Sequence, residues 1–392
     1  MTRITLDPDG DVCLRLPYHH HNIYIQTVAE AQDDNEASID NPGPAESSTG
    51  LRSKTTVDLI VSSKVLATVS PVFKTMFYGN FREGVEAAAA RASSRLYMQE
   101  LPEDDDEVTL VFCALTHGKT EQLPEEPSIP FQLAMAEFAK KYLCIKFLEL
   151  PGRAWLRREL EQEELSRMHV EVAYYSVARL CHLLYVAYTL DLPHEFAVIM
   201  GTIAINLHGR NDDLSDLMPE RFDHNVMDFL KALRRDCAHR VHKEVLKQAA
   251  VYDIPVFREH KHVPNCEAVA NARYTEATAI LGIWPIRPEY IGTTLQAVFD
   301  NLPALSPGLM TAVLDEPVEC TCATESGYCR VQLSKRAADL VSACSEMRED
   351  LLGRRAEFLS YYQCLDCLKA GGIADQNVAV DCRCAHMYPD EN

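Results

Sequence analysis

Two short runs with strand character flank a stretch that cannot join a hydrophobic core, and this limits what the first part of the chain can form. Asp11 to Leu16 alternates, with Val12, Leu14 and Leu16 on one side and Cys13 and Arg15 on the other; Asp9-Gly10 supplies a turn before it. The pattern resumes at Val57-Asp58-Leu59-Ile60-Val61. Between them, residues 22–54 are dominated by Ala, Asp, Asn, Glu, Ser, Pro and Gly. So little apolar surface cannot offset the entropy of ordering the segment. The pattern therefore predicts one hairpin whose loop has grown into a disordered insertion.

Helix signals follow the second strand. Ser63 is the expected cap of a short helix that turns Val65, Leu66 and Val69 inward. Ser70-Pro71 then restarts the chain, since serine caps a helix and proline suits its first position. Val72, Phe73, Met76 and Phe77 follow at helical spacing, and Gly79 ends the run. After the Ala/Ser-rich Ala87 to Ser94, a short strand is expected around Leu96-Tyr97-Met98. Asp104, Asp105 and Asp106 should then start a helix carrying Val108, Val111, Phe112 and Leu115, because carboxylates favour the positive helix end. A longer amphipathic helix is predicted from Phe131 to about Leu150, with Phe131, Met135, Phe138, Tyr142, Ile145 and Leu148 in one stripe and Pro151-Gly152 as its end. From Trp155 to about Leu314 the pattern is mostly helical, broken at Leu192-Pro193, Met218-Pro219, Ile254-Pro255 and Trp284-Pro285.

Charge narrows the partners. Among 392 residues, 58 are acidic and 38 basic, a net charge of −20. Such a field repels nucleic acid and anionic membrane, whose binding depends on cations that neutralise phosphates. The basic run Lys231, Arg234, Arg235, His239, Arg240, His242, Lys243 and Lys247 is the counter-candidate. It sits beside Leu230, Leu233, Val241 and Leu246, so it is read as the solvated face of a helix. No stretch approaches 18 consecutive apolar residues, and the N-terminus has no apolar signal core, so a cytoplasmic or nuclear location is expected.

The order of motifs resembles the BTB/POZ domain in the large BTB families of fungi. The resemblance lies in Val61-Ser62-Ser63-Lys64-Val65-Leu66, Ser70-Pro71-Val72-Phe73, Met76-Phe77 and Phe81-Arg82-Glu83-Gly84. It continues through Leu101-Pro102-Glu103-Asp104-Asp105 and Ala139-Lys140-Lys141-Tyr142. Asp11 matches a buried aspartate frequent in animal members, and Ser62 stands where those members have histidine. Farther on, Leu183 to Tyr188, Gly282 to Pro285 and Cys364 to Lys369 are similar to segments of fungal BTB proteins.

The resemblance implies an α+β, mainly α fold. Residues 1–150 would form a helical cluster with a small β-sheet; beyond the resemblance, the helical pattern and the cysteines divide the chain into a helical region, 151–265, and a helical, Cys-rich end, 266–392. The resemblance also implies docking and dimerisation without catalysis. The partners would be other proteins: a second copy, to which Val12, Leu14 and Leu16 would offer an apolar face, or a cullin-type ubiquitin ligase served as substrate adaptor.

Cysteines near the C-terminus carry the only chemistry read from spacing. Cys364 and Cys367, then Cys382 and His386, have the residue types and short spacing of a structural zinc site, with Cys384 or the Cys320/Cys322 pair as substitutes. A zinc-containing transcriptional regulator is the alternative function on that reading. The competing interpretation is small buried thiols packing as hydrophobes. A redox pair is disfavoured because no βαβ pattern surrounds it. The triplet His19-His20-His21 has no carboxylate or cysteine beside it, and Glu103 to Glu107 is read as a helix start. No familiar catalytic motif occurs, so no enzyme is expected.

The composition of residues 22–54 makes a direct prediction. Limited proteolysis of the native chain should cut there first and leave the two flanking strands associated. Resistance of this stretch, with cleavage elsewhere, would contradict the reading.

Overall fold

The computed structural model describes residues 2–18, 56–119, 124, 126–166, 173–207, 222, 225–250, 279, 295–301, 328–352, 359–360, 364–369 and 386–387. The fold is α+β and mainly α, with one small four-stranded sheet. The insertion 22–54, the histidine triplet, and the breaks at Met218-Pro219, Ile254-Pro255 and Trp284-Pro285 lie outside the described residues. Two compact units are distinguished: Met1–Arg158 with Thr189–Asp191, and Glu159–Tyr188 with Leu192–Asn392.

In the first unit, β2 (Val12–Pro17) and β3 (Thr56–Val61) form the expected antiparallel pair. A strand the alternation rule could not reveal, β1 (Thr2–Thr5), runs parallel to β3; only Ile4 in it is apolar and buried. The fourth strand, β4 (Tyr97–Glu100), runs parallel to β2, giving the order β1-β3-β2-β4. One sheet face carries Ile4, Leu59 and Leu14 in register, all fully buried. The other carries a row of alternating charge: Arg3 opposite Asp58, Asp58 opposite Arg15, and Arg15 opposite Glu100. Arg15 grips the fully buried Asp58 with two hydrogen bonds of 2.8 and 2.9 Å. Such a two-pronged arginine–carboxylate pair fixes direction as well as charge. Cys13 is buried on this face as well.

Val12, Leu14 and Leu16 were expected to form an exposed apolar face for a second copy. They do not: all three are buried within the first unit, whose sheet is accompanied by a set of helices. Those helices are α1 (Ser63–Val69), α2 (Pro71–Tyr78), α3 (Arg82–Ala92), α4 (Asp106–Thr116) and α5 (Ile129–Lys141). The restart at Ser70-Pro71 forms as predicted: the Phe73 amide donates to Ser70 Oγ at 3.1 Å, and Pro71 takes the first turn. Phe73 and Phe77 are fully buried and stacked. Ser63 is not the cap of α1. It is the first helical residue, and Ser62 precedes it without a side-chain cap. In α1 only Leu66 of the three expected inward residues is fully buried.

The predicted helix from Phe131 to Leu150 is two helices, and Pro151 lies inside the second, α6 (Ile145–Ser166). The break comes at Leu143, whose φ is 53°. Around it the Cys144 amide donates to the Ala139 carbonyl and the Leu143 amide to the Lys140 carbonyl, the closing pattern of a Schellman cap. Glycine is the usual residue at that position, because a left-handed side chain costs roughly 1–2 kcal/mol. Leucine there hides the break from sequence inspection. Helix α3 ends the same way on Ser94 and α4 on Gly118. Of the predicted stripe, Phe131, Met135, Phe138, Tyr142 and Leu148 are buried, and Ile145, just past the break, is half-exposed.

The three motifs that carried the resemblance meet at Tyr142. Ser70 Oγ donates to the Tyr142 carbonyl at 2.6 Å, and Phe73 stacks on the Tyr142 ring at 4.3 Å. Asp104, itself buried, accepts from the Tyr142 hydroxyl and from Lys141 Nζ, each at 2.8 Å. Asp104 is therefore not part of a helix start. Asp105 caps α4, its carboxylate accepting from the Val108 amide at 3.0 Å.

In the second unit, α8 (Pro193–Asn206) is the central element, with Phe196, Ile199, Met200, Ile203 and Ile205 fully buried. Pro193 starts it, as the break at Leu192-Pro193 implied. Around it pack α9 (Asn225–Ala250), α10 (Leu295–Asn301), α11 (Tyr328–Leu351) and the short α12 (Leu365–Lys369); α7 (Ala173–Thr189) precedes it. Helix α9 contains the basic run and corrects it at two places. His242 is buried and Leu246 is about half-exposed, the reverse of the expected faces. The buried side of α9 runs through Val226, Phe229, Leu230, Leu233, Cys237, Val241 and Val245, and His242 falls on its margin. A short parallel pair, β5 (Leu359–Ser360) with β6 (His386–Met387), completes this unit.

Replacing Phe73 by alanine in the full chain should cost about 3–5 kcal/mol in equilibrium unfolding. Tyr142→Phe keeps the stacking but leaves Asp104 short of one donor, at about 1–3 kcal/mol. A Tyr142→Phe variant as stable as wild type would show that this hydrogen bond is not a tie between the motifs.

Candidate interaction surface

One end of the sheet carries a polar cluster whose residues come from five stretches of the chain. Asp11, just before β2, accepts from the Ser63 amide at 2.7 Å and from Ser63 Oγ at 2.6 Å. A carboxylate thus sits at the start of α1, where unsatisfied amides and the helix dipole favour negative charge. With the Ser63 proton directed to Asp11, the Tyr78 hydroxyl donates to Ser63 Oγ at 2.8 Å. Arg91 of α3 lies 3.6 Å from Asp11, donates to the Phe77 carbonyl at 2.8 Å, and holds its guanidinium 4.4 Å over the Tyr78 ring. Ser62 donates its amide to His117 Nε2 at 3.0 Å, which leaves the His117 proton on Nδ1 for the Cys113 carbonyl at 2.7 Å.

This cluster fixes the corner between α2 and α3, and apolar side chains project from that corner. Tyr78 is 48% exposed, Phe81 65% and Val85 60%. Phe81 is the extended residue that precedes α3, and Val85 stands in the first turn of that helix, so both lie at its N-terminal end. At the crossing of the two helices, a Cβ on Gly84 would collide with the Gly79 carbonyl oxygen, so only glycine permits this approach.

The metal-site candidates are placed unevenly. Cys364 and Cys367, at the start of α12, are both buried. Cys382 lies outside the described residues, and His386 is placed by its backbone in β6, opposite Leu359. Among the described residues no group of three or more His, Cys, Asp or Glu side chains gathers as a metal would require. Cys13, Cys113, Cys144, Cys181, Cys237, Cys344, Cys364 and Cys367 are all buried. Burial pushes the thiols of Cys144, Cys181, Cys237 and Cys344 up from 9.0 to about 12. Cys13 rises to about 11 through burial and then the charge of Asp58, and Cys113 rises through burial and then its neighbour Cys144. These six are neutral at physiological pH and pack as small hydrophobes. Among the described residues, no helix is long and apolar enough to cross a membrane.

Comparison with protein-family models, with curated proteins and with solved structures found no match.

Sequence inspection missed α3 as a helix and so missed its surface. The signal was present in the spacing of Phe81, Val85, Ala88, Ala89 and Ala92, but an alanine-rich run reads as easily as a linker. Arg91 and His117 were missed because their roles depend on tertiary placement beside Asp11 and Ser62.

The buried thiols make a pH prediction with a definite sign. A thiol whose folded value is raised stabilises the fold below the unfolded value of 9.0. That contribution is lost as pH climbs toward about 12. Melting temperature should therefore fall through this alkaline window. At neutral pH, iodoacetamide should leave Cys144, Cys181, Cys237 and Cys344 unlabelled until denaturant is added, as read by peptide mass mapping. Labelling of native Cys237 would refute the assignment.

Proposed function

We propose that this chain is a protein–protein interaction scaffold or adaptor whose first unit is a BTB/POZ-like docking module. The observation that carries the reading is the convergence on Tyr142. Segments quoted for the resemblance from three separate stretches, around Ser70-Pro71, Asp104 and Lys141-Tyr142, join in one hydrogen-bonded and stacked node. The order of a strand hairpin, paired helices α1 and α2, a further strand, and then α4 and α5 fits a helical cluster flanked by a small sheet. Asp11 holds the start of α1, in keeping with the aspartate of that family. The apolar side chains left outside this node, Phe81 and Val85 foremost, are suited to contact with protein rather than with a charged polymer.

Within this reading, the docked partner is a subunit of a cullin-type ubiquitin ligase, and the second unit supplies the surface for a substrate. Affinity purification of the tagged full chain with mass spectrometry tests it. Cullin and ligase subunits, lost with Phe81→Glu or Val85→Glu, are the expected result. Chromatin factors retained independently of those residues would instead favour the zinc-containing regulator.

A further inference from the structure

The basic run of α9 divides by what its members hold. Arg234 donates to the Leu207 carbonyl at 3.1 Å. Arg240 and Lys247 are each tied to a carboxylate of their own helix, Asp236 at 3.0 Å and Glu244 at 3.3 Å. Lys231, Arg235, His239 and Lys243 are all exposed, and among the described residues none of the four pairs with a carboxylate. They follow one another at steps of four residues, so they form a single ridge with a basic side chain about every 6 Å. Leu246, 48% exposed, stands one turn beyond Lys243 at the end of that ridge.

The fold itself gives no reason for the ridge. Like charges four residues apart repel and weaken a helix. A helix face that serves only to be wet mixes its signs, as Asp236 with Arg240 and Glu244 with Lys247 do on the flank of the same helix.

We infer that this ridge is where the second unit takes its substrate, and that the substrate presents an extended acidic segment. Its carboxylates stand at alternate positions, with an apolar side chain at the end that reaches Leu246. The inference rests on the reading that the second unit holds a substrate, and it supplies the surface and the chemistry. Alternate residues of an extended chain lie about 6.7 Å apart on one side. Such a segment keeps step with the ridge within the reach of lysine and arginine arms. Acidic segments are moreover held extended by their own repulsion.

Net charge selects a short segment over a longer polyanion. A duplex or an anionic membrane carries its charge well past the ridge and meets the field of a chain at −20. A short segment lying on the ridge is shielded from the rest of the chain by salt, whose screening length is about 8 Å.

Fluorescence anisotropy tests the inference, with the full chain titrated into a labelled peptide of four glutamates alternating with serine and ending in leucine. Binding is expected, and it should weaken as salt rises. Arg235→Glu and, separately, Lys243→Glu should weaken it about tenfold or more. Lys64→Glu makes the same change of charge at an exposed position of the first unit and should leave binding unchanged. Each α9 reversal replaces repulsion by attraction along the ridge, so melting temperature should hold or rise; Lys243→Glu carries the test if Arg235→Glu misfolds. Absence of binding at low salt, indifference to both α9 variants, or an equal loss with Lys64→Glu would each overturn the inference. A labelled oligothymidylate bound more tightly than the peptide through the same residues would overturn it too, and assign the ridge to nucleic acid. A chain that ignores the peptide yet still captures ligase subunits through Phe81 sinks this inference and leaves the docking-module reading intact.

Discussion

The first unit depends on how a single tyrosine is tied down. Tyr142 ends α5, and through its carbonyl, ring and hydroxyl it holds the start of α2, the ring of Phe73 and the carboxylate of Asp104. Each tie differs in kind: a serine donor to a helix-terminal carbonyl, a stacked ring, and a phenol on a buried anion. The anion is tolerable in the interior because Lys141 adds its charge at 2.8 Å. Phe112 and Phe138 extend the ring cluster away from this point, so the hydrophobic core grows from a polar anchor.

The sheet solves a related problem with other means. Its inner face is an apolar lattice, and its outer face buries Asp58 beneath Arg15 within a row of alternating charges. A slip of one residue would turn Asp58 into the apolar layer and Leu59 out of it. Register is thereby specified from both sides, which matters for a hairpin whose two strands are separated by 38 intervening residues.

What the sequence disclosed followed from local chemistry. The hairpin strands, the Ser70-Pro71 start, the burial of Phe73 and Phe77 and the helix start at the aspartates before Val108 all rest on patterns within a few residues. What stayed hidden depended on distant partners or on unusual residues. Leu143 ends a helix in the manner of glycine, so the stripe from Phe131 to Leu148 reads as unbroken. Ser63 looks like a cap until Asp11 arrives from the turn before β2. Strand β1 has one buried side chain, Ile4, and exists because β3 offers a free edge. On the candidate surface, Tyr78 and Phe81 were visible as apolar residues, but their exposure is a tertiary fact.

The close crossing at Gly79 and Gly84 has a consequence for how such a surface changes over time. Backbone meets backbone there, so the direction of α3 is set by main-chain sterics and not by the side chains it displays. Phe81, Val85 and the exposed alanines can be exchanged without tilting the helix that bears them. Binding preference can then drift between lineages upon a frame whose geometry is inherited unchanged.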